Sequence, residues 1–365
     1  MSDADHMGAA LALARRGLGQ TAPNPSVGCV ITRQGRVVGR GFTASGGRPH
    51  AEVNALAMAK DQARGGTAYV TLEPCSFTGK SGPCADVLIE AGIARVVIGI
   101  RDPHPKVNGA GIARLRAVGV EVTEGVLREA CESVTSGFLS VQSKGRPLLR
   151  LKLASSLDGR IATLTGESQW ITGIESRHAV HLMRGRHDAV MVGVGTVLAD
   201  DPELTCRIEG LRTTPLVRIV VDSHLRTPLL SRLVVGARES PLWILHRDGA
   251  DKLRRHALEQ VGVRLIELPA SSAGVDLQMG LRRLAEQGLT RVLAEGGGTL
   301  AAGLLRAELV DRLDWFHAPD VIGGDGFPAA QAFGVKSLSQ MARFTPISSC
   351  RLGVDMLTRY TRLPS

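Results

Sequence analysis

The sequence predicts an α/β protein of two unlike domains, and three observations carry that prediction. Strand-like and helix-like apolar segments alternate along the chain, the pattern of sheets covered by helices. Its 365 residues exceed the roughly 100–200 of one ordinary domain. At Ser143-Lys144-Gly145-Arg146-Pro147 the chain turns polar, with glycine and proline, as a seam does. No repeat aligns the halves, so the expected domains are residues 1–145 and 147–365.

In chain order, residues 7–18 are alanine-rich and stop at Gly19, which predicts a helix. Residues 27–32 read as a buried strand, and 36–42 as the next one after a turn at Gln34-Gly35. A helix over 51–63 precedes a strand, 67–72, that runs straight into Glu73-Pro74-Cys75. After Cys84, residues 85–91 place apolar side chains at helical spacing. A strand over 95–100 and a helix–strand pair reaching Glu121-Val122 follow. The second half opens with a strand over 148–153, with further strands at 190–194, 217–222, 242–245, 264–268 and 291–294, and a helix over 300–305.

Apolar residues make up 44% and charged residues 22%, an ordinary globular balance. The formal charge of +9 invites a polynucleotide partner, but it comes from scattered arginines. Aromatics are only 3% of the chain, whereas single-strand binders stack bases on aromatic rings. A phosphate-bearing small molecule accounts for the charge as well, so no nucleic-acid partner is expected. No apolar run approaches the roughly 18 residues of a membrane span. Asp3, Asp5 and His6 stand where a secretion signal would be basic. Six cysteines, several needed as thiols, fit a reducing cytoplasm.

His50-Ala51-Glu52, then Pro74-Cys75, then Cys84, carry the chemistry. One imidazole and two thiolates supply three zinc ligands and leave a tetrahedral position for water, the open form of a catalytic site. If its segment is helical, Glu52 sits beside that position without binding the metal, placed to shuttle protons. H-x-E…P-C…C is the signature of zinc deaminases acting on amino-heterocycles. Here residues 76–83 separate the cysteines, so both reach one metal only if Cys75 ends a loop and Cys84 opens a helix, whose N-terminus also favours thiolate. The blander readings are three unconnected residues or a structural zinc staple. Cys29, Cys131, Cys206 and Cys350 lack metal-ligand spacing.

In the second half, Glu295-Gly296-Gly297-Gly298-Thr299 follows a strand and opens a helix, the form of a phosphate cradle or simply of a tight corner. No G-x-G-x-x-G occurs, which disfavours a Rossmann fold. Polar residues and glycines crowd the ends of three predicted strands, where a ligand crevice belongs. Lys152 there reads equally as an exposed strand-end lysine, and Trp170 as a core aromatic.

An ordered set of motifs across both halves resembles the bifunctional deaminase/reductase family of riboflavin biosynthesis. The set begins with Thr21-Ala22-Pro23-Asn24-Pro25-Ser26-Val27-Gly28-Cys29, Pro49-His50-Ala51-Glu52-Val53, Tyr69-Val70-Thr71-Leu72-Glu73-Pro74-Cys75, Gly82-Pro83-Cys84 and Arg101-Asp102-Pro103. It continues with Ser156-Leu157-Asp158-Gly159-Arg160, Gly166-Glu167-Ser168-Gln169-Trp170-Ile171-Thr172, Gly195-Thr196-Val197-Leu198-Ala199-Asp200-Asp201-Pro202 and Glu295-Gly296-Gly297.

The resemblance implies a cytidine-deaminase-like three-layer α/β/α domain followed by a dihydrofolate-reductase-like α/β domain. The first would deaminate 2,5-diamino-6-ribosylamino-4(3H)-pyrimidinone 5′-phosphate, and the second would reduce the ribosyl group of the product with NADPH. It implies zinc on His50, Cys75 and Cys84, Glu52 as proton donor, and substrate contacts at Asn24 and Asp102. In the reductase it places Ala154, Trp170, Thr196, Asp200, Ser223 and the stretch Gly297, Gly298, Thr299, Leu300, Ala301, Ala302, Gly303 against the cofactor. Ser168, Arg184, Leu204, Arg207 and Glu295 fall at substrate positions; the forked guanidinium of arginine suits a sugar phosphate.

One departure stands out. The family has histidine after the serine of E-P-C-S, and this chain has Phe77 and then Thr78, with Lys80 keeping a cation in that loop for the phosphate. A homo-oligomer, dimer or tetramer, is expected. The competing functions are a polynucleotide base deaminase with an accessory domain and a non-catalytic zinc-stapled binding module.

Overall fold

The computed structural model describes residues 1–77, 82–271 and 274–363. The chain divides into two compact units, Met1–Gly145 and Arg146–Ser365.

The first unit runs α1 (Asp3–Arg16), β1 (Gly28–Arg33), β2 (Arg36–Phe42), α2 (Ala51–Ala59), β3 (Thr67–Leu72), α3 (Cys84–Glu90), β4 (Arg95–Ile100), α4 (Ala110–Ala117), β5 (Glu121–Glu124) and α5 (Arg128–Lys144). Its sheet has the order β2-β1-β3-β4-β5. β1 lies antiparallel to β2 and β3, whereas β3, β4 and β5 are parallel. Helix α1 starts four residues before the predicted position because Ser2 and Asp5 form a capping box that satisfies two free amides. Helix α2 ends at Ala59, where Lys60 takes a left-handed φ of 50°, and the predicted last turn becomes a 3₁₀ turn, Lys60–Ala63. The small residues Ala10, Ala14, Ala51, Ala55 and Ala59 are buried, so α1 and α2 pack closely on β1 and β2.

The second unit contains β6 (Leu148–Ser155), β7 (Arg160–Ala162), α6 (Ile174–Gly185), β8 (Ala189–Gly193), α7 (Val194–Asp200), β9 (Val217–Val221), α8 (Arg232–Val235), β10 (Leu242–Arg247), α9 (Lys252–Gln260) and β11 (Arg264–Leu268). It continues with β12 (Ala270–Ser271), β13 (Gly274–Val275), α10 (Leu277–Glu286), β14 (Arg291–Glu295), α11 (Gly298–Arg306), β15 (Arg312–His317), β16 (Phe327–Pro328), β17 (Phe344–Leu352) and β18 (Asp355–Arg362). The large sheet has the order β11-β10-β9-β8-β14-β6-β15-β18-β17. β11 through β15 are parallel, and β18 and β17 extend the sheet antiparallel. β14 enters between β8 and β6, so strand order reverses there, and the crevice of such a sheet opens at the carboxyl ends of those strands. Among the described residues, two large apolar clusters fill the unit, one including Leu149, Leu151 and Val292 and the other Val190, Val220 and Ile244, with a smaller third of Val180, Phe316 and Leu357.

Candidate active sites

In the first unit three elements deliver three ligand atoms to one point. His50 immediately precedes α2, Cys75 follows β3 through Glu73-Pro74, and Cys84 opens α3. Their ligand atoms lie within 4.8 Å of one another. His50 Nδ1 faces Cys84 Sγ at 3.2 Å and Cys75 Sγ at 3.7 Å, and the Cys84 backbone amide donates to Cys75 Sγ at 3.3 Å. One nitrogen and two sulfurs converging like this fit zinc. The hydrogen bond the two thiols share lowers the pKa of Cys75 and raises that of Cys84, so the pair releases its first proton readily. Among the described residues no fourth His, Cys, Asp or Glu joins the cluster.

Glu52, in the first turn of α2, is buried beside the triad. Burial pushes its carboxyl up to about 7, against the lowering pull of a backbone hydrogen bond and of His50. Asp102 follows β4; burial raises it to about 6, and its Oδ1 accepts the His104 amide at 2.8 Å. Asn24 donates through Nδ2 to the Gly47 carbonyl at 2.9 Å, tying its turn to the loop before His50. Lys80 and Thr78 lie outside the described residues. The Phe77 ring stacks on His104 with centroids 5.9 Å apart, and the Lys106 ammonium stands 6.0 Å from its centroid.

Sequence reasoning gave no task to Glu73, which organises this site. Its buried carboxylate accepts four backbone amides, from Asp102 at 3.2 Å, Gly109 at 3.0 Å, Gly111 at 3.0 Å and Ile112 at 3.2 Å. That clamps the loop after β4 onto the loop that carries Cys75.

The second unit holds a cleft of about 1910 Å³ over the strand ends. It is lined by Ala154, Ser168, Trp170, Arg184, Thr196 and Asp200. Leu204, Arg207, Ser223, Glu295, Gly297 and Gly298 continue the wall, with Thr299, Leu300, Ala302 and Gly303. Ala301 is the exception in the glycine-rich stretch: its side chain is turned into the core, because that face of α11 packs against the sheet. Trp170 is no core aromatic. It is 69% exposed at the cleft, with the Arg177 guanidinium 4.5 Å from its ring centroid.

Arg184, on α6, grips Glu295 at the end of β14 with two hydrogen bonds, Nε at 2.7 Å and Nη2 at 2.8 Å, and donates through Nη1 to the Thr205 carbonyl at 2.9 Å. Burial alone would raise Glu295, but Arg184 and then Lys152 hold it below the usual carboxylate value. Lys152 lines the cleft, and burial pulls its ammonium pKa down. His181 was also missed: it lines the cleft, and its Nδ1 accepts the Arg207 amide at 3.2 Å while its carbonyl accepts from Cys206 Sγ at 3.3 Å. Nothing in the spacing of single residues signals such a side-chain-to-backbone link.

Fold and sites define a class: a zinc-type deaminase unit joined in one chain to a reductase unit with a dinucleotide-sized cleft. Residues 1–100 match the cytidine and deoxycytidylate deaminase zinc-binding region, and residues 147–358 match the RibD C-terminal domain. The chain belongs to the RibD family of riboflavin biosynthesis proteins. It is 41% identical to the riboflavin biosynthesis protein RibD of Actinobacillus pleuropneumoniae over 99% of this chain and 95% of that one. Against RibD of Escherichia coli (strain K12) it is 40% identical over 94% of this chain and 95% of that one. A solved structure of Acinetobacter baumannii RibD superposes with a TM-score of 0.89 at 36% identity, covering 99% of each chain. The diaminohydroxyphosphoribosylaminopyrimidine deaminase/5-amino-6-(5-phosphoribosylamino)uracil reductase of Thermotoga maritima gives 0.86 at 33% identity, again over 99% of each. The chain is accordingly a bifunctional enzyme of riboflavin biosynthesis, a zinc-dependent deaminase and an NADPH-dependent reductase. Its first domain is cytidine-deaminase-like and its second dihydrofolate-reductase-like.

Proposed function

We propose that residues 1–145 deaminate 2,5-diamino-6-ribosylamino-4(3H)-pyrimidinone 5′-phosphate and that residues 147–365 reduce the product to 5-amino-6-(5-phospho-D-ribitylamino)uracil. The observation that carries the reading is the convergence of His50, Cys75 and Cys84 beside a buried, unligated Glu52. Those three residues would hold zinc, whose Lewis acidity activates water for attack on the ring carbon that bears the amino group. Glu52, with a carboxyl near neutrality, would pass one proton of the water to the ring nitrogen and then carry the proton left on the attacking oxygen to the amine, so that the C–N bond breaks, ammonia leaves and the ring carbon gains its carbonyl. Asn24 and Asp102 hold the pyrimidine, and Lys80 holds its phosphate.

When bound in the second unit, NADPH would supply the hydride that reduces the opened ribosyl carbon, and the nitrogen on that carbon would take up a proton. Arg184 and Arg207 receive the ribotide phosphate, with Ser168, Leu204 and Glu295 positioning the sugar and ring. Ala154, Trp170, Thr196, Asp200 and Ser223 would hold the cofactor, and the stretch from Gly297 to Gly303, apart from the inward-facing Ala301, would offer the start of α11 to its phosphates.

The substrate is a free ribotide and not a polynucleotide; the low aromatic content supports this. No helix among the described residues is long and apolar enough to cross a membrane. The free thiols support a cytoplasmic location. The largely exposed edge strand β17 supports a homo-oligomer, dimer or tetramer. The decisive experiment supplies the pyrimidine ribotide and NADPH and follows ammonia and NADPH together. Ammonia release followed by equimolar NADPH oxidation is expected; ammonia from RNA or DNA but not from the ribotide would overturn the reading.

A further inference from the structure

We infer that Asp355, at the turn between β17 and β18, is a positioning residue for the reductase. Through Gly173 and Ser176 it fixes the cleft wall that carries Ser168 and Trp170, and so sets how tightly the cofactor binds. The inference rests on the reading that Trp170 meets the cofactor. It gives that reading a determinant outside the cleft, since Asp355 is not among the lining residues.

The wall follows β7 and runs to Gly173, the residue before α6. Ser168, Gln169, Trp170, Ile171 and Thr172 all line the cleft. Trp170 is nevertheless largely exposed, so burial does not hold its ring in place. Its position is set by the backbone that follows it and by Arg177. From the first turn of α6, Arg177 donates through Nη1 to the Thr172 carbonyl at 3.0 Å and lays its guanidinium over the indole. Where α6 starts therefore decides where the indole stands.

The start of α6 carries no cap of its own. Its N-cap is Gly173, which has no side chain to accept the free amides of the first turn. Asp355 serves instead from 182 residues away: its Oδ2 accepts the Gly173 amide at 2.8 Å and the hydroxyl of buried Ser176. A carboxylate suits the place, because a helix N-terminus carries partial positive charge. The hairpin turn and the helix start also meet closely. A Cβ on Gly353, two residues before Asp355, would fall 2.6 Å from Glu175 Oε2 in the first turn of α6. Asp355 is fully buried, and its other oxygen, Oδ1, has no hydrogen-bond partner among the described residues. A buried carboxylate with one oxygen idle carries a desolvation cost that a hairpin turn alone does not require. Fixing the start of α6, and with it the wall before it, is what the charge accomplishes here.

The test is a double-mutant cycle between Asp355 and Trp170, read as binding without turnover. The intact protein is titrated with NADPH, followed by the emission of the bound dinucleotide, in the unmodified chain, Asp355→Ala, Trp170→Ala and the double variant. Asp355→Ala is expected to weaken NADPH binding by roughly 5- to 50-fold, and Trp170→Ala by at least as much. The double variant is expected to bind no more weakly than Trp170→Ala alone, because Asp355 acts through the ring it positions. Asp355→Asn keeps an acceptor for Gly173 and Ser176 and is expected to recover most of the loss. Ammonia release is expected to be the same in all of them. Ser176→Ala removes one of the two bonds, is expected to give a smaller loss, and carries the same cycle should Asp355→Ala not fold. Losses that multiply in the double variant overturn the inference, because a general effect on stability would be independent of the indole. Unchanged NADPH affinity in both Asp355→Ala and Ser176→Ala overturns it while leaving the reductase reading intact. Unchanged affinity in Trp170→Ala overturns the cofactor reading of that residue and the inference with it, and no NADPH binding by the unmodified chain overturns the reductase reading itself.

Discussion

Glu52 is a carboxylate placed where only its protonation cycle is useful: buried, raised to about 7, and outside the ligand set. Glu52→Gln keeps shape and removes the titration. Ammonia release is expected to fall by roughly a hundred- to ten-thousandfold with zinc content by elemental analysis unchanged; retained turnover would remove Glu52 from the chemistry. His181 invites a different prediction, because its link to the Arg207 amide holds the loop bearing Leu204 and Arg207 against α6. His181→Ala is expected to raise the reductase KM for the ribotide several-fold with kcat little changed, and His181→Asn, which keeps an acceptor near Nδ1, to restore much of it. A fall in kcat at constant KM would instead put His181 in the reaction itself. His50, Cys75 and Cys84 were legible in sequence because metal coordination dictates residue type and rough order. Glu73 and His181 were not, since both act on backbone amides 26 to 39 residues away, and an amide looks the same in every residue.

At the scale of elements, the two strand-to-helix turns of the first unit matter most, and they are locked by backbone contact. A Cβ on Gly111, at the start of α4, would fall 2.1 Å from the Pro74 carbonyl oxygen, one residue before Cys75. Gly111→Ala must push that carbonyl away, a strain of about 1–3 kcal/mol. The expected outcome is loss of bound zinc and of ammonia release with NADPH affinity unchanged; full zinc occupancy would show that the loop absorbs the methyl group. Most strands were readable as short apolar runs between turn residues, and α3 as a helical period following Cys84. Helix α5 was not, because its buried face includes Thr135, Gly137 and Ser140, which hide the apolar stripe. The C-terminal pair β17 and β18 escaped for a related reason. β17 is exposed on both faces for most of its length and contains Pro346, so it carries no alternation, and only its pairing with β18 makes it a strand.

At the scale of the whole molecule, each unit closes its own core and its own site, so the two activities are separable by measurement. Stripping the metal with a chelator is expected to abolish ammonia release and to leave NADPH oxidation intact when the deaminated ribotide is supplied. Parallel loss of both would give the metal a role in the second unit. Stability can be separated as well, because Trp170, Trp243 and Trp315 all belong to the second unit and tryptophan fluorescence reports its unfolding alone. In that unit His187 is buried, with Nδ1 donating to the Met183 carbonyl at 2.7 Å. Burial, then Arg150 and Arg291, holds its pKa well below the ordinary 6.5. Below pH 6.5 the unfolded chain therefore takes up a proton that the folded unit refuses. Stability is lost as pH falls through that value, by up to about 1.4 kcal/mol per pH unit. His187→Asn retains an N–H for Met183 and cannot titrate. Urea midpoints read by tryptophan fluorescence at about pH 7.5 and about pH 5.5 should fall more steeply in the unmodified chain than in the variant. Equal slopes would mean that other groups, and not this imidazole, set the acid sensitivity of the reductase unit.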